Sequence, residues 1–168
     1  LTLSSSDVSK VYDGTTAAAG SAVLSSGTLF GSDSFSGGTF SFDNKNAASG
    51  KHVSVSGVRV NDGNGGNNYD VVVVNSTAGV ITPKALTIST VASTKVYDGG
   101  VTSDNKPLVT GLLSGDRVTG LFQQYETKTV GTGKKLLVKS GYVVQDGNGG
   151  NNYTVTEQGS MDGVITAN

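Results

Sequence analysis

The chain says the same thing twice. Lys10-Val11-Tyr12-Asp13-Gly14 returns as Lys95-Val96-Tyr97-Asp98-Gly99. Asp62-Gly63-Asn64-Gly65-Gly66-Asn67-Asn68-Tyr69 returns as Asp146-Gly147-Asn148-Gly149-Gly150-Asn151-Asn152-Tyr153, and Gly79-Val80-Ile81-Thr82 as Gly163-Val164-Ile165-Thr166. The offsets are 85, 84 and 84 residues in a chain of 168. An internal period decides architecture before any local pattern does. It predicts two modules, residues 1–84 and 85–168, each large enough to fold alone around a modest core. Chemistry that depends on one special residue rarely survives in a unit copied for length. Copying suits spacers, arrays and multivalent binders.

The periodicity inside each copy is two. Leu1/Leu3, Leu86/Ile88, Val53/Val55 and Leu136/Val138 alternate with polar residues, as half-buried strands do. No window supports a long amphipathic helix. The 25 glycines against 2 prolines, with many Ser, Thr, Asn and Val, point to strands and tight turns. Seven strands are expected in the first module, near 1–5, 8–12, 21–26, 34–42, 51–60, 68–74 and 78–82. The reading is all-β: two tandem Ig-like β-sandwich modules, with a β-grasp-like sheet carrying one short helix as the alternative. Comparison of Val71 to Val74 with its counterpart Val155-Thr156-Glu157-Gln158 predicts that Val71 faces in and Val72 out. Ser140 is an extra residue in the second copy, so the modules should differ in bulging near Gly57 and Gly141. The junction Thr82-Pro83-Lys84-Ala85-Leu86 has no Gly/Ser run, which predicts a stiff, extended pair.

Charge and composition narrow the function. Net charge is −1 without a basic stripe, which argues against a nucleic-acid partner. No apolar run is long enough to span a bilayer. With no cysteine there is no disulfide scaffold, thiolate metal site or thiol nucleophile. His52 is the only histidine and its counterpart is Lys135, so neither a triad nor a metal site has its parts in both copies. Lys51, His52 and Ser54 read as a solvent-facing strand edge. Neither glycine-rich loop completes a phosphate-binding motif. Asp62, Asn64, Asn68 and Asp70 resemble part of a calcium loop, but Val73 stands where the bidentate Glu belongs and Thr154 replaces Asp70. The favoured reading of these loops is a hairpin connection leading into Tyr69 or Tyr153. Tyr12-Asp13-Gly14 and Tyr97-Asp98-Gly99 read as strand ends closed by Asp-Gly turns, with the tyrosine over the core edge. The weighed alternative is an aromatic-plus-carboxylate sugar site. No catalytic, cofactor or metal residues are assigned. A Lys–Asn crosslink would call on Lys10 and Lys95, for which no partner Asn is evident.

As an ordered set, these motifs carry a resemblance. The chain runs Lys10 to Thr16, Asp33, Gly50 to Gly57, Asn68-Tyr69 and Gly79 to Thr87. The second copy runs Lys95 to Gly99, Gly115-Asp116, Gly133-Lys134, Asn152-Tyr153 and Gly163 to Thr166. This order resembles the YDG-type repeat domain of filamentous-haemagglutinin-like bacterial adhesins, exported by two-partner secretion. Gly100-Val101-Thr102 departs from Thr15-Thr16 of the first copy. The resemblance implies a non-catalytic stalk region of a large exoprotein at a Gram-negative cell surface or in a biofilm matrix. Its partners would be neighbouring repeats of the same polypeptide, with extracellular polysaccharide or host surfaces bound through other regions. The modules would then be monomeric. It also makes Asn75 and Asn152, both in N-x-[ST] triplets, candidates for glycosylation. Leu1-Thr2-Leu3-Ser4 aligns with Leu86-Thr87-Ile88-Ser89. The start therefore reads as a repeat boundary within a longer array, with any targeting segment elsewhere.

Overall fold

Period-two patterning and positive-φ glycines dictate strands and turns. The computed structural model, which describes residues 1–168, contains no helix. The helix that a β-grasp module requires is therefore missing, and the fold is all-β. The chain divides into Leu1–Pro83 and Lys84–Asn168. The boundary sits one residue earlier than the repeat suggested, because the Lys84 N–H already bonds to the Asn152 carbonyl at 2.9 Å.

In the first unit all seven expected strands form: β1 (Thr2–Ser5), β2 (Ser9–Val11), β3 (Ala22–Ser26), β4 (Ser34–Phe42), β5 (Ala48–Asn61), β6 (Val72–Val73) and β7 (Ser76–Thr82). They make two sheets, ordered β3-β1-β6 and β2-β7-β5-β4. β1 lies against β5 and β3 against β4. The inward residues Leu3, Phe40, Phe42, Val53, Val55 and Ile81 bury their side chains between the sheets. Two pairings, β1 with β6 and β2 with β7, are parallel. Alternation reports which face a residue takes, not the direction of its neighbour strand, so these pairs were not readable in the sequence.

The second unit repeats the plan with two of the long strands broken. Its strands are β8 (Lys84–Ser89), β9 (Ser93–Val96), β10 (Leu108–Thr110), β11 (Arg117–Thr119), β12 (Gln123–Tyr125), β13 (Gly131–Val138), β14 (Val143–Gln145), β15 (Tyr153–Gln158) and β16 (Ser160–Thr166). Sheets β10-β8-β15 and β12-β13-β16-β9 match those of the first unit, and β11-β14 forms a two-stranded ribbon. β11 and β12 correspond to β4, and β13 and β14 to β5. The expected difference near Gly57 and Gly141 is present. β4 pairs with β5 in one continuous register past Gly57. In the second unit, Thr119↔Val143 and Gln123↔Val138 differ by one residue in register. The strand carrying Ser140 holds the extra residue.

β6 is shorter than expected, and β15 is not. Lys84 and Ala85 extend β8 so that they pair with Tyr153 and Thr154. In the first unit the Leu1 nitrogen donates to the Asp70 carbonyl at 2.7 Å, and the strand pairing itself covers only Val72 and Val73. The expectation that Val71 faces in is corrected: Val71 is 40% exposed, because its stretch is an open edge rather than a covered strand.

Both units share a feature that strand alternation alone does not display. β5 meets β7 through compensating register shifts around Lys51, and β13 meets β16 through the same shifts around Lys134. Gly50 and Gly133 supply the left-handed residue, each with φ about 60° (63° and 60°). The bulge brings two backbones together at Gly79 and Gly163. A Cβ on Gly79 would lie 2.8 Å from Val53 Cγ2 and 2.9 Å from the Lys51 carbonyl; on Gly163, 2.8 Å from the Tyr125 ring. Gly79→Ala and Gly163→Ala should each destabilise their module by about 1–3 kcal/mol, the cost of overpacking a filled site. Gly100→Ala, which meets nothing closer than 3.6 Å and needs no positive φ, should change stability by less than about 0.5 kcal/mol. Urea denaturation of the three variants checks this.

Candidate functional site

The repeated residues are the natural candidates for function, and in both modules they fold back onto their own module. β2 carries Lys10 towards the turn that follows it. Its Nζ lies 2.9 Å from Asp13 Oδ1, 3.0 Å from the Thr15 carbonyl and 2.7 Å from the Ala17 carbonyl. It also sits 5.4 Å above the Phe42 ring. Asp13 Oδ1 accepts the Thr15 N–H at 2.9 Å, closing a turn at Gly14, where φ is 78°. The second copy reproduces this latch: Lys95 Nζ lies 2.9 Å from Asp98 Oδ1, 3.0 Å from the Gly100 carbonyl and 5.4 Å above Tyr125. The Gly100 N–H takes the place of that of Thr15, so the sequence departure keeps the turn. Burial raises the Asp13 carboxyl, but Lys10 and the Thr15 donors outweigh it and hold it below the ordinary aspartate range. Asp98 is lowered chiefly by Lys95, with the Gly100 N–H adding to it.

The tyrosines of this motif belong to the core. Tyr12 is 2% exposed, not laid over the core edge, and its hydroxyl accepts a hydrogen bond from Lys45 Nζ at 3.1 Å. Tyr97 is half-buried against the cluster of Tyr125, Leu136 and Ile165. Neither offers a free ring face beside a free carboxylate, as a sugar platform would need.

The Asp-Gly-Asn loops are built around a carboxylate. Asp62 Oδ1 accepts the N–H groups of Asn64 and Gly66, both at 2.8 Å, and Oδ2 accepts that of Asn68 at 3.0 Å. Asp146 does the same with Asn148, Gly150 and Asn152, at 2.8, 2.8 and 2.9 Å. Burial pushes both acids up, and the converging N–H groups outweigh it and hold them low. A ring of N–H donors suits an anion, here the chain's own, and turns the loop away from calcium chemistry. Asp70 takes no part in it. The loop then delivers a tyrosine. The Tyr69 hydroxyl donates to Asp33 Oδ2 at 2.5 Å and accepts the Phe30 N–H at 3.0 Å. The Tyr153 hydroxyl donates to Asp116 Oδ2 at 2.5 Å and accepts the Leu113 N–H at 3.1 Å. Asp33 and Asp116, which the ordered motif set includes without a role, are thus the acceptors that pin the loop after β3 and β10.

The remaining candidates fall apart spatially. His52 is exposed on β5. Its neighbour Lys51, expected to face solvent, is buried at 5% exposure. Lys51 Nζ reaches Asn44 Oδ1 at 2.6 Å and Asp43 Oδ1 at 3.2 Å. This is a Lys, Asn and acid together, away from Lys10. Burial raises Asp43, but the hydrogen bond and charge of Lys51 outweigh it and hold the carboxyl below the ordinary aspartate range. The counterpart Lys134 bonds Thr127 and Thr129 instead. The repeated Gly-Lys pair was the available signal for this buried lysine. Of the two glycosylation candidates, Asn75 is exposed. Asn152 is fully buried, with its Oδ1 bonded to Asn148 Nδ2 at 2.9 Å, so a glycan on it does not fit the folded module.

Asp146→Asn should destabilise the second module by about 1–3 kcal/mol, the penalty for under-satisfying a buried network. Since the folded carboxyls are lowered, their contribution is fully present above the unfolded value of about 3.9 and is lost as pH falls through the folded values. Melting temperature should stay level from neutral pH down to about pH 5 and drop below about pH 4. Thermal scans across that range, with Asp146→Asn showing the shallower decline, check it.

With this geometry in place, comparison with known proteins is informative at one level. The family model described as the YDG domain matches the chain twice, over residues 1–78 and 82–160. No curated protein and no solved structure matches it.

Proposed function

From the premise that the chain belongs to the YDG domain family, we propose that its two modules are structural stalk repeats of a large secreted bacterial surface adhesin. The observation that carries this reading is where the repeated residues spend their chemistry. Lys10 and Lys95, Asp13 and Asp98, Asp62 and Asp146, and Tyr69 and Tyr153 each bond within their own module. What was copied is scaffolding, which is what a spacer needs to have copied.

In this reading the module does its work mechanically, without catalysis. Strand ladders carry load, while the Lys–Asp latches and the carboxylate-centred loops keep the turns from opening. A surface low in charge, with 15% charged residues, remains soluble without attracting polyanions. The setting would be the cell surface or biofilm matrix of a Gram-negative bacterium. Any host or polysaccharide ligand would be met by other regions of the adhesin.

Small-angle X-ray scattering of the pair tests the stalk reading. A maximum dimension near the sum of two modules, with little flexibility, is expected. A compact particle with the modules side by side would contradict it and point to a shared binding surface.

A further inference from the structure

The two modules also differ at one sheet edge. In the first, Val71, Val72, Val73 and Val74 run consecutively, and all four are at least 40% exposed. β6 is the outer strand of its sheet. The Val72 and Val74 N–H groups bond inward to Leu1 and Leu3. By alternation, the N–H groups of Val71 and Val73 point outward. Beside Val71 lies an open groove of about 450 Å³ between this edge and the end of β5, lined by Val58, Arg59, Val60, Asn61 and Gly66.

The second module shows the same edge protected. Where the first has Val72, Val73 and Val74, it has Thr156, Glu157 and Gln158. The Tyr142 hydroxyl donates to Glu157 Oε1 at 2.7 Å, tying the edge strand to the residue before β14. Tyr142 corresponds to Val58 and Glu157 to Val73, so the first module lacks both halves of the bridge. A polar or charged group is the usual defence of an exposed strand edge. Valine at these positions in the first copy leaves its edge without that defence.

We propose that the Val71–Val74 edge of the first module is a self-association surface, whose occupant is the same edge of a second copy of this chain. A strand edge is its own complement when two copies run antiparallel about a twofold axis, each supplying the donors and acceptors the other lacks. The flanking charges fit that symmetry. Arg59 lines the groove and Asp70 precedes the valines; both are exposed and neither ion-pairs within its module. Across a twofold, Arg59 of each copy meets Asp70 of the other. This inference is independent of the stalk reading, since it concerns one edge of one module.

Sedimentation velocity on the full chain over a wide concentration range tests it. The apparent mass should rise from 16.9 kDa towards twice that value. Val73→Glu, which installs what the second module already tolerates, should weaken association by about tenfold or more. Arg59→Asp and Asp70→Arg should each weaken it, and the double exchange should restore it. Met161→Ser, which removes an exposed apolar side chain elsewhere, should leave it unchanged. Circular dichroism melts matching the wild type establish that the variants are folded. A wild-type chain that keeps the monomer mass throughout overturns the proposal. So does a folded Val73→Glu variant that associates as the wild type does.

Discussion

Each module depends on a carboxylate that its own loop encloses. In the second module, Asp146 is 2% exposed and draws the N–H groups of Asn148, Gly150 and Asn152 onto its two oxygens. That closure fixes where the chain leaves the loop, and hence where Tyr153 begins β15. β15 then lies parallel to β8 across its whole length. The Tyr153 hydroxyl in turn ties down the loop after β10 through Asp116 and Leu113. A charge-assisted bond is roughly twice as strong as a neutral one. Three of them on one buried acid let a glycine-rich loop keep a single conformation. The same sequence of dependence runs from Asp62 to Tyr69 to Asp33 in the first module.

The lysine latches do similar work at the other repeated motif. Lys10 and Lys95 close their turns with carboxylate and carbonyl acceptors while covering an aromatic ring, Phe42 in one module and Tyr125 in the other. The surroundings vary and the geometry does not. Gly100 stands in for Thr15, and Thr127 and Thr129 stand in for Asn44 and Asp43 around the bulge lysine. Substitution around a constant framework is how a duplicated scaffold drifts. The Val71–Val74 edge is different in kind, because there the two copies differ in the chemistry of the strand itself, valine in one and polar residues in the other.

Local rules reached much of this and stopped at long range. The duplication, the seven strands, the Asp-Gly turns and the extra residue at Ser140 depend on patterns a few residues long, which a sequence displays directly. The parallel pairing of β1 with β6 does not, because it joins segments some seventy residues apart. Nor does the bond from Tyr69 to Asp33, which lie 36 residues apart. Lys51 faces in against the expectation from its charge: period-two alternation from Val53 and Val55 already places it on the inward face, and Asn44 and Asp43 satisfy its ammonium there. Gly79 was visible as a repeated residue, but its reason, a backbone crossing within 3 Å of its missing Cβ, exists only in the folded chain. Asn152 matched a modification triplet and proved to be a structural amide.

The central claim is that these glycine-rich loops are rigid because one carboxylate holds three backbone amides. Hydrogen exchange of the full chain, resolved by residue, measures it most directly. The amides of Asn64, Gly66 and Asn68, and of Asn148, Gly150 and Asn152, should be protected to a degree comparable with strand amides of their own module. Exchange of these six at the rate of an open, solvated loop would contradict the account.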